Sequence, residues 1–62
     1  MDITTKELID IIEKQDSWAT DEFAELLKRA DIDPTADPYV VDGEPMVEPE
    51  TIFEIAKVKL GF

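Results

Sequence analysis

The chain contains no cysteine, no histidine and no asparagine, and Ser17 is its only serine. Without cysteine there are no disulfides and no thiolate metal sites. Without histidine the nucleophilic triads are excluded, together with the side chain that most readily exchanges protons near neutral pH. Carboxylates, lysines, threonines and one tyrosine remain for acid–base chemistry, and 62 residues give little wall to enclose them. We therefore predict that the protein is not an enzyme and carries no cofactor and no metal.

A long apolar run is also missing from the chain. No stretch approaches the length of a signal peptide or a membrane span, so a cytoplasmic location is expected. A length of 62 residues makes one small domain (1–62), which buries only about 60% of the surface exposed by its unfolded chain. Because 44% of the residues are hydrophobic, we expect a folded chain with a small core.

Positive charge is scarce, since six basic residues stand against sixteen acidic ones and the net charge is −10. Between Arg29 and Lys57 there is no cation at all, although this stretch holds all four prolines and eight carboxylates. The carboxylates are Asp31, Asp33, Asp37, Asp42, Glu44, Glu48, Glu50 and Glu54. So concentrated a negative field repels nucleic acids and anionic membranes, and it favours a partner with a basic surface.

Two helices are predicted in the first half of the chain, at 5–15 and 20–30. Thr4 followed by Glu7 forms a capping box for the first helix, and either Ser17 or Thr20 caps the second. The apolar residues at helical spacing are Leu8, Ile9, Ile11, Ile12, Phe23, Leu26, Leu27 and Ala30. Trp18 lies beside the junction of the two helices, where a large ring is expected to close the end of the core.

A β-hairpin is predicted at 39–47, after two Asp-Pro pairs end the helical pattern. Asp42-Gly43 supplies the positive φ angles of a type I′ turn. That register pairs Val41 with Glu44, Val40 with Pro45 and Tyr39 with Met46. A third helix follows at 49–60, with Pro49 at its first position and Gly61 placed to stop it. Its expected buried residues are Ile52, Phe53, Ile55, Ala56 and Leu60. The predicted fold is therefore a small α+β domain, helix-helix-β-hairpin-helix, and predominantly helical.

The acidic residues after the second predicted helix resemble two metal-dependent motifs. The sequence favours neither of them. Residues 31–35, Asp-Ile-Asp-Pro-Thr, resemble the DxDxT motif of haloacid dehalogenase-type phosphatases. That motif needs a large parallel sheet around it, whereas here it follows a helix, so we interpret it as an acidic turn. The spacing also approaches a calcium loop, but Ala36 replaces the glycine that bends such a loop and Pro38 interrupts it. Whether segment 31–44 binds Ca²⁺ is left open.

The residues expected to bind a partner lie on and beside the predicted hairpin. They are Asp37, Tyr39, Asp42, Glu44, Met46 and Glu48. The apolar members either pack the hairpin onto the helices or form an exposed anchor with an acidic rim, which is a common composition of protein interfaces. We predict a non-catalytic interaction module, an adapter or inhibitor, that binds a basic protein surface.

The sequence leaves two other function classes open. The first is a nucleic-acid mimic of phage or mobile-element type, whose carboxylates replace phosphates and block a DNA- or RNA-binding protein. The second is a structural subunit whose acidity serves solubility or a halophilic environment. A homodimer is one way for so small a core to grow.

Overall fold

The computed structural model describes residues 2–34 and 47–62, together with the backbone of 40–41 and 44–45. Its helices are α1 (Thr5–Lys14), α2 (Asp21–Arg29) and α3 (Pro49–Lys59). Each lies within its predicted range, so these three predictions are confirmed. No helix in this part of the chain is long and apolar enough to cross a membrane.

The prediction of an α+β fold with a hairpin at 39–47 is wrong. Residues 2–34 and 47–62 contain helices and no strand. The extended backbone described between them is limited to β1 (Val40–Val41) and β2 (Glu44–Pro45), antiparallel, with Val40 opposite Pro45 and Val41 opposite Glu44. Strands of folded proteins usually run about three to ten residues, so two such pairs do not make a β layer. The third predicted pair, Tyr39 with Met46, lies outside the described residues.

The physical reason is that a turn signal acts only locally. Asp-Gly favours a reversal of the chain, but the flanking apolar runs are too short to add a layer to the core. Helices supply the core instead, as a small compact globule. Its buried residues are Leu8, Ile9, Ile12, Phe23, Leu26, Leu27, Ala30, Ile32, Ile52, Phe53 and Ala56.

Capping side chains fix the beginnings of the first two helices. The Thr4 hydroxyl accepts a hydrogen bond from the Glu7 amide at 3.1 Å, as the capping box predicts. Of the two caps left open for α2, it is Thr20 that accepts from the Phe23 amide, at 3.2 Å. The Thr20 hydroxyl also donates to Oε1 of Gln15 at 2.9 Å, which ties the start of α2 to the end of α1.

Trp18 occupies the junction between the helices. Its ring lies 5.1 Å from that of Phe23 on α2 and 5.5 Å from that of Phe53 on α3, both tilted. Such tilted pairs add about 0.5–1.5 kcal/mol each beyond the apolar area that they bury. The prediction that Trp18 closes the core is therefore confirmed.

The C-terminal end of α2 is a Schellman motif. The Ile32 amide donates to the Leu27 carbonyl at 2.9 Å, and the Asp31 amide donates to the Lys28 carbonyl at 3.2 Å. Asp31 holds the left-handed conformation that this motif needs, with φ of 56°. The motif turns the Ile32 side chain back into the core, where it is buried.

The C-terminal end of α3 has the same motif. The Phe62 amide donates to the Lys57 carbonyl at 2.8 Å, and the Gly61 amide donates to the Val58 carbonyl at 3.1 Å. Gly61 has φ of 86° and ends the helix as predicted. Phe62 is 58% exposed, so the motif fixes its backbone without burying the residue.

One cation in the last turn of α2 ties that helix to α1. Arg29 donates from Nε to Oε2 of Glu25 at 2.9 Å, an i, i+4 pair within α2, and from a terminal nitrogen to the hydroxyl of Thr5 at 3.2 Å. The hydrogen bond from Arg29 lowers the pKa of Glu25. A charged side chain thus joins the end of α2 to the start of α1.

A second cation, Lys57, links α3 to α1. Nζ of Lys57 lies 3.0 Å from Oε1 of Glu54 and 3.7 Å from Oε1 of Glu13 on α1. It also lies 4.8 Å from the centre of the Phe53 ring, within range of a cation–π contact. The hydrogen bond with Glu54 raises the pKa of Lys57. Both helices that end in a Schellman motif are therefore linked to α1 through a basic side chain.

Candidate protein-binding surface

The predicted partner-binding residues are only partly within the described structure. Asp37, Tyr39, Asp42 and Met46 lie outside it, and Glu44 is described by its backbone alone, in β2. Glu48 is exposed and occupies the N-cap position of α3. The structure therefore neither brings these six residues together nor separates them, and they stay predictions.

A groove beside α2 is a different candidate, which we call the α2 groove. It encloses about 630 Å³ between Trp18 on one side and Ile32 to Pro34 on the other. Phe23 and Leu27, both buried in the core, reach its floor from α2. Ligand sites commonly enclose about 300–1,000 Å³ with mainly apolar walls, so this concavity has the size and lining of a binding site.

The rim of the α2 groove is charged. Asp21, in the first turn of α2, and Asp33, after the turn that ends the helix, contribute carboxylates, and Lys28 contributes one ammonium group. Ala24 also lines the groove and is exposed, so no large side chain of α2 fills that position. An apolar floor is thus combined with a rim in which carboxylates outnumber cations.

Both walls of the α2 groove are positioned by local features at the two ends of α2. The Thr20 cap starts α2 immediately after Trp18, and the Schellman motif folds Ile32 back over Leu27. The groove is not predicted from the sequence when residues 31–35 are interpreted only as an acidic turn, because its second wall depends on Ile32, the one isoleucine among them. A usable signal was present, since an apolar residue two positions beyond a helix end commonly packs back onto the helix.

The side chains with clearly displaced pKa values are Glu25, lowered by Arg29, and Lys57, raised by Glu54, and both are held in ion pairs outside the α2 groove. Within residues 2–34 and 47–62 no group of three acidic side chains is placed to hold a metal ion. The groove offers apolar contact and charge, which are the properties of a recognition site.

A second, partly exposed surface lies on α3 and just beyond its C-terminal end, and we call it the α3 stripe. Its residues are Thr51, Ile55, Val58 and Phe62. Val58 is 75% exposed and Phe62 58% exposed, which is unusual for large apolar side chains. A shallow hollow of about 280 Å³ lies on the stripe, bordered by Glu54 and Lys59. The α3 stripe shares no lining residue with the α2 groove.

Comparison with known proteins provides no family assignment, because no protein-family model, no curated protein and no solved structure matches the chain. Any function must therefore be argued from the two surfaces themselves.

Proposed function

We propose that the protein is a non-catalytic interaction module that binds a basic segment of a partner protein in the α2 groove. The observation that carries this proposal is the groove itself, which joins an aromatic and aliphatic floor to a rim with two carboxylates. This proposal uses an apolar anchor site formed by Trp18 and α2, whereas the sequence-based prediction of an anchor at Tyr39 and Met46 concerns residues outside the described structure and stays a prediction.

The apolar part of the groove supports binding of an apolar side chain from the partner. Interface residues that contribute most to affinity are enriched in tryptophan and other aromatics that surround a desolvated pocket. Trp18 and Phe23 supply such rings, and their mutual contact at 5.1 Å holds them in place before any partner arrives. A preordered wall reduces the conformational entropy that binding would otherwise cost.

The charge of the chain supports a basic partner. Asp21 and Asp33 lie at the rim, and the net charge of −10 extends the negative field well beyond it. Such a field speeds encounter with cationic partners and opposes encounter with anionic ones. A segment with one apolar side chain between lysines or arginines has the complementary chemistry.

A displayed library of random peptides tests this proposal even though the partner is unidentified. We expect selection on the wild-type protein to enrich peptides with an apolar or aromatic residue flanked by basic residues. Ala24→Glu places a larger side chain in the α2 groove and makes the net charge more negative by one, and we expect it to abolish binding of these peptides. Lys14→Gln changes the net charge equally on exposed α1 surface, and we expect binding to persist.

Two outcomes would contradict the groove as the site. One is equal binding of the selected peptides by wild type and Ala24→Glu, and the other is enrichment of basic peptides without an apolar anchor. The salt dependence of the dissociation constant separates an apolar-anchored interaction module from a nucleic-acid mimic. An anchored interface loses little affinity between low and moderate NaCl, whereas a nucleic-acid mimic should lose affinity steeply on a logarithmic scale.

A further inference from the structure

Helix α3 has two apolar faces, although packing within one chain requires only one. Ile52, Phe53 and Ala56 form the inner face and are buried in the core. The α3 stripe begins with Thr51, its least apolar member, and is centred away from that inner face, although its Ile55 is half-buried and also packs against the core. A helix that is apolar on two sides usually has a second surface to pack against.

The spacing of the α3 stripe is that of a coiled coil. Within the helix, Thr51, Ile55 and Val58 follow one another at intervals of four and three, as positions d, a and d of a heptad. Ile55 takes position a, and Thr51 and Val58 take the d positions. Phe62 follows the turn at Gly61 and flanks the stripe outside the helix.

The charges beside the stripe are complementary to those of a second copy of this chain when the two helices run parallel. Glu54 occupies position g and Lys59 occupies position e of the same heptad frame. In a parallel pair, position g of one helix faces position e of the other, so Glu54 meets Lys59 of the second copy twice. In an antiparallel pair, g faces g and e faces e, which opposes like charges. The Glu54 side chain is 62% exposed even while it contacts Lys57, so it can reach a partner.

The hollow on α3 matches what a second copy would insert. A knob at position a enters a hole formed by the d, g, a and d residues of the facing helix. Those residues are Thr51, Glu54, Ile55 and Val58, and all four line the hollow of about 280 Å³. The hole therefore exists in the single chain, in the place where Ile55 of a second copy would enter it.

We propose that two copies of the chain associate through a parallel pairing of their α3 stripes. With 11 residues, α3 is only about 16 Å long. The contact is therefore below the size of a standard interface, and the net charge of −10 on each copy opposes it. We expect a dissociation constant on the order of 0.1–1 mM at about 0.15 M NaCl. Because the stripe and the α2 groove have no residue in common, either proposal can fail without the other.

Sedimentation equilibrium between about 0.02 and 2 mM protein tests the association. The average mass of the wild type should rise from 7.0 kDa towards twice that value. Val58→Gln should raise the dissociation constant by about tenfold or more, because Val58 lies at the centre of the pairing and is 75% exposed in the single chain. Ile11→Gln changes an exposed isoleucine of α1 in the same way and should leave association unchanged. A wild type that stays monomeric throughout, or an equal effect of both variants, would overturn the proposal.

Two further variant pairs test the orientation. Lys59→Glu sets like charges against Glu54 in a parallel pair and should weaken association about fivefold or more, whereas Lys6→Glu makes the same change of net charge on α1 and should weaken it less. Under mild oxidation, Thr51→Cys should form a disulfide-linked dimer, because d faces d in a parallel pair, and Glu50→Cys should not. Equal effects of the two charge variants, or equal crosslinking of the two cysteine variants, would contradict the parallel arrangement.

Discussion

At the C-terminal end of α2 and at that of α3 the backbone makes the same two hydrogen bonds. In each case a residue with positive φ follows the helix, and the next amide returns to the last turn. The following side chains then differ, since Ile32 is 7% exposed and Phe62 is 58% exposed. The motif thus determines where the chain turns, whereas burial depends on whether other helices cover the returning side chain.

The residue at the positive φ differs as well. Gly61 adopts φ of 86° without a side-chain penalty, whereas Asp31 adopts φ of 56° with a side chain and a negative charge. That charge lies at the negative end of the α2 dipole, which is an unfavourable place for it. The end of α2 therefore gains a buried isoleucine and bears local strain, while the end of α3 has neither.

The largest expected difference between the two ends is the response to truncation of the returning side chain. Ile32→Ala should lower the free energy of unfolding by about 2–4 kcal/mol, because it removes buried methyl groups and leaves a cavity. Phe62→Ala should change it by less than about 0.5 kcal/mol, since most of the ring already contacts water. Urea denaturation followed by far-ultraviolet circular dichroism, at about 10 μM to avoid association, measures both. Equal losses would show that the exposure of Phe62 is not what determines its contribution.

Gly61→Ala tests the backbone at the end of α3. An added Cβ would meet no atom within 4 Å, so no steric clash is expected and the whole cost is conformational. We expect a loss of about 1 kcal/mol, because alanine is disfavoured at φ of 86°. The same denaturation experiment checks this value. A neutral result would mean that the last turn of α3 contributes little to the folded state.

Asp31→Gly applies the converse change to α2 and should stabilise the domain by about 0.5–1 kcal/mol, because it removes both the strain and the charge. Asp31→Asn removes only the charge and should give a smaller gain. Raising NaCl to about 1 M should reduce the gain from Asp31→Asn, since salt screens charge. It should leave the difference between the two variants, which reflects strain, unchanged. A gain from Asp31→Asn that did not depend on salt would exclude the electrostatic explanation.

The smallest expected effects concern the two cations that tie the helix ends to α1. Arg29 lowers the pKa of Glu25 below its ordinary value of 4.5, so the stabilisation by Glu25 is present above that pH and is lost as the pH falls through the lowered pKa. Glu25→Gln should therefore destabilise the domain at pH 7 and have little effect at pH 3. Stability curves of the variant and the wild type should converge in acid.

For the ion pair of Lys57 at the end of α3, the pH dependence of stability has the opposite sign. Glu54 raises the pKa of Lys57 above its ordinary value of 10.5, so this stabilisation is present below that pH and is lost as the pH rises through the raised pKa. Lys57→Met retains the contact with Phe53 and should lower stability at pH 7 but not in strong alkali. Midpoints of urea unfolding across the pH range measure both effects. A constant difference at all pH values would indicate lost packing rather than a lost ion pair.

Features determined within a few residues were predictable from the sequence. The Thr4 and Thr20 caps, the pair of Glu25 with Arg29 and the stop at Gly61 all depend on neighbours close in the chain. The helix ranges follow from such signals together with apolar spacing.

Features that depend on packing between helices were predicted less well. Ile11 lies on the apolar face of α1 by spacing, yet it is 38% exposed because the buried stripe of that helix is narrower than the pattern suggests. Ile32 is buried although its neighbours are acidic, and Val58 is exposed although it is apolar. The α2 groove depends on how far Trp18 lies from the turn after α2. A pattern of neighbouring residues does not determine that distance.

Trp18 also has a practical consequence. The chain contains no other tryptophan, so its ultraviolet fluorescence comes mainly from one indole that touches both Phe23 and Phe53. Separation of α2 from α3 would expose that indole to water and shift its emission to longer wavelength. The same ring forms a wall of the α2 groove, so an entering ligand would also change its signal. The protein therefore carries a built-in optical reporter for stopped-flow folding and for titration, without any dye or label.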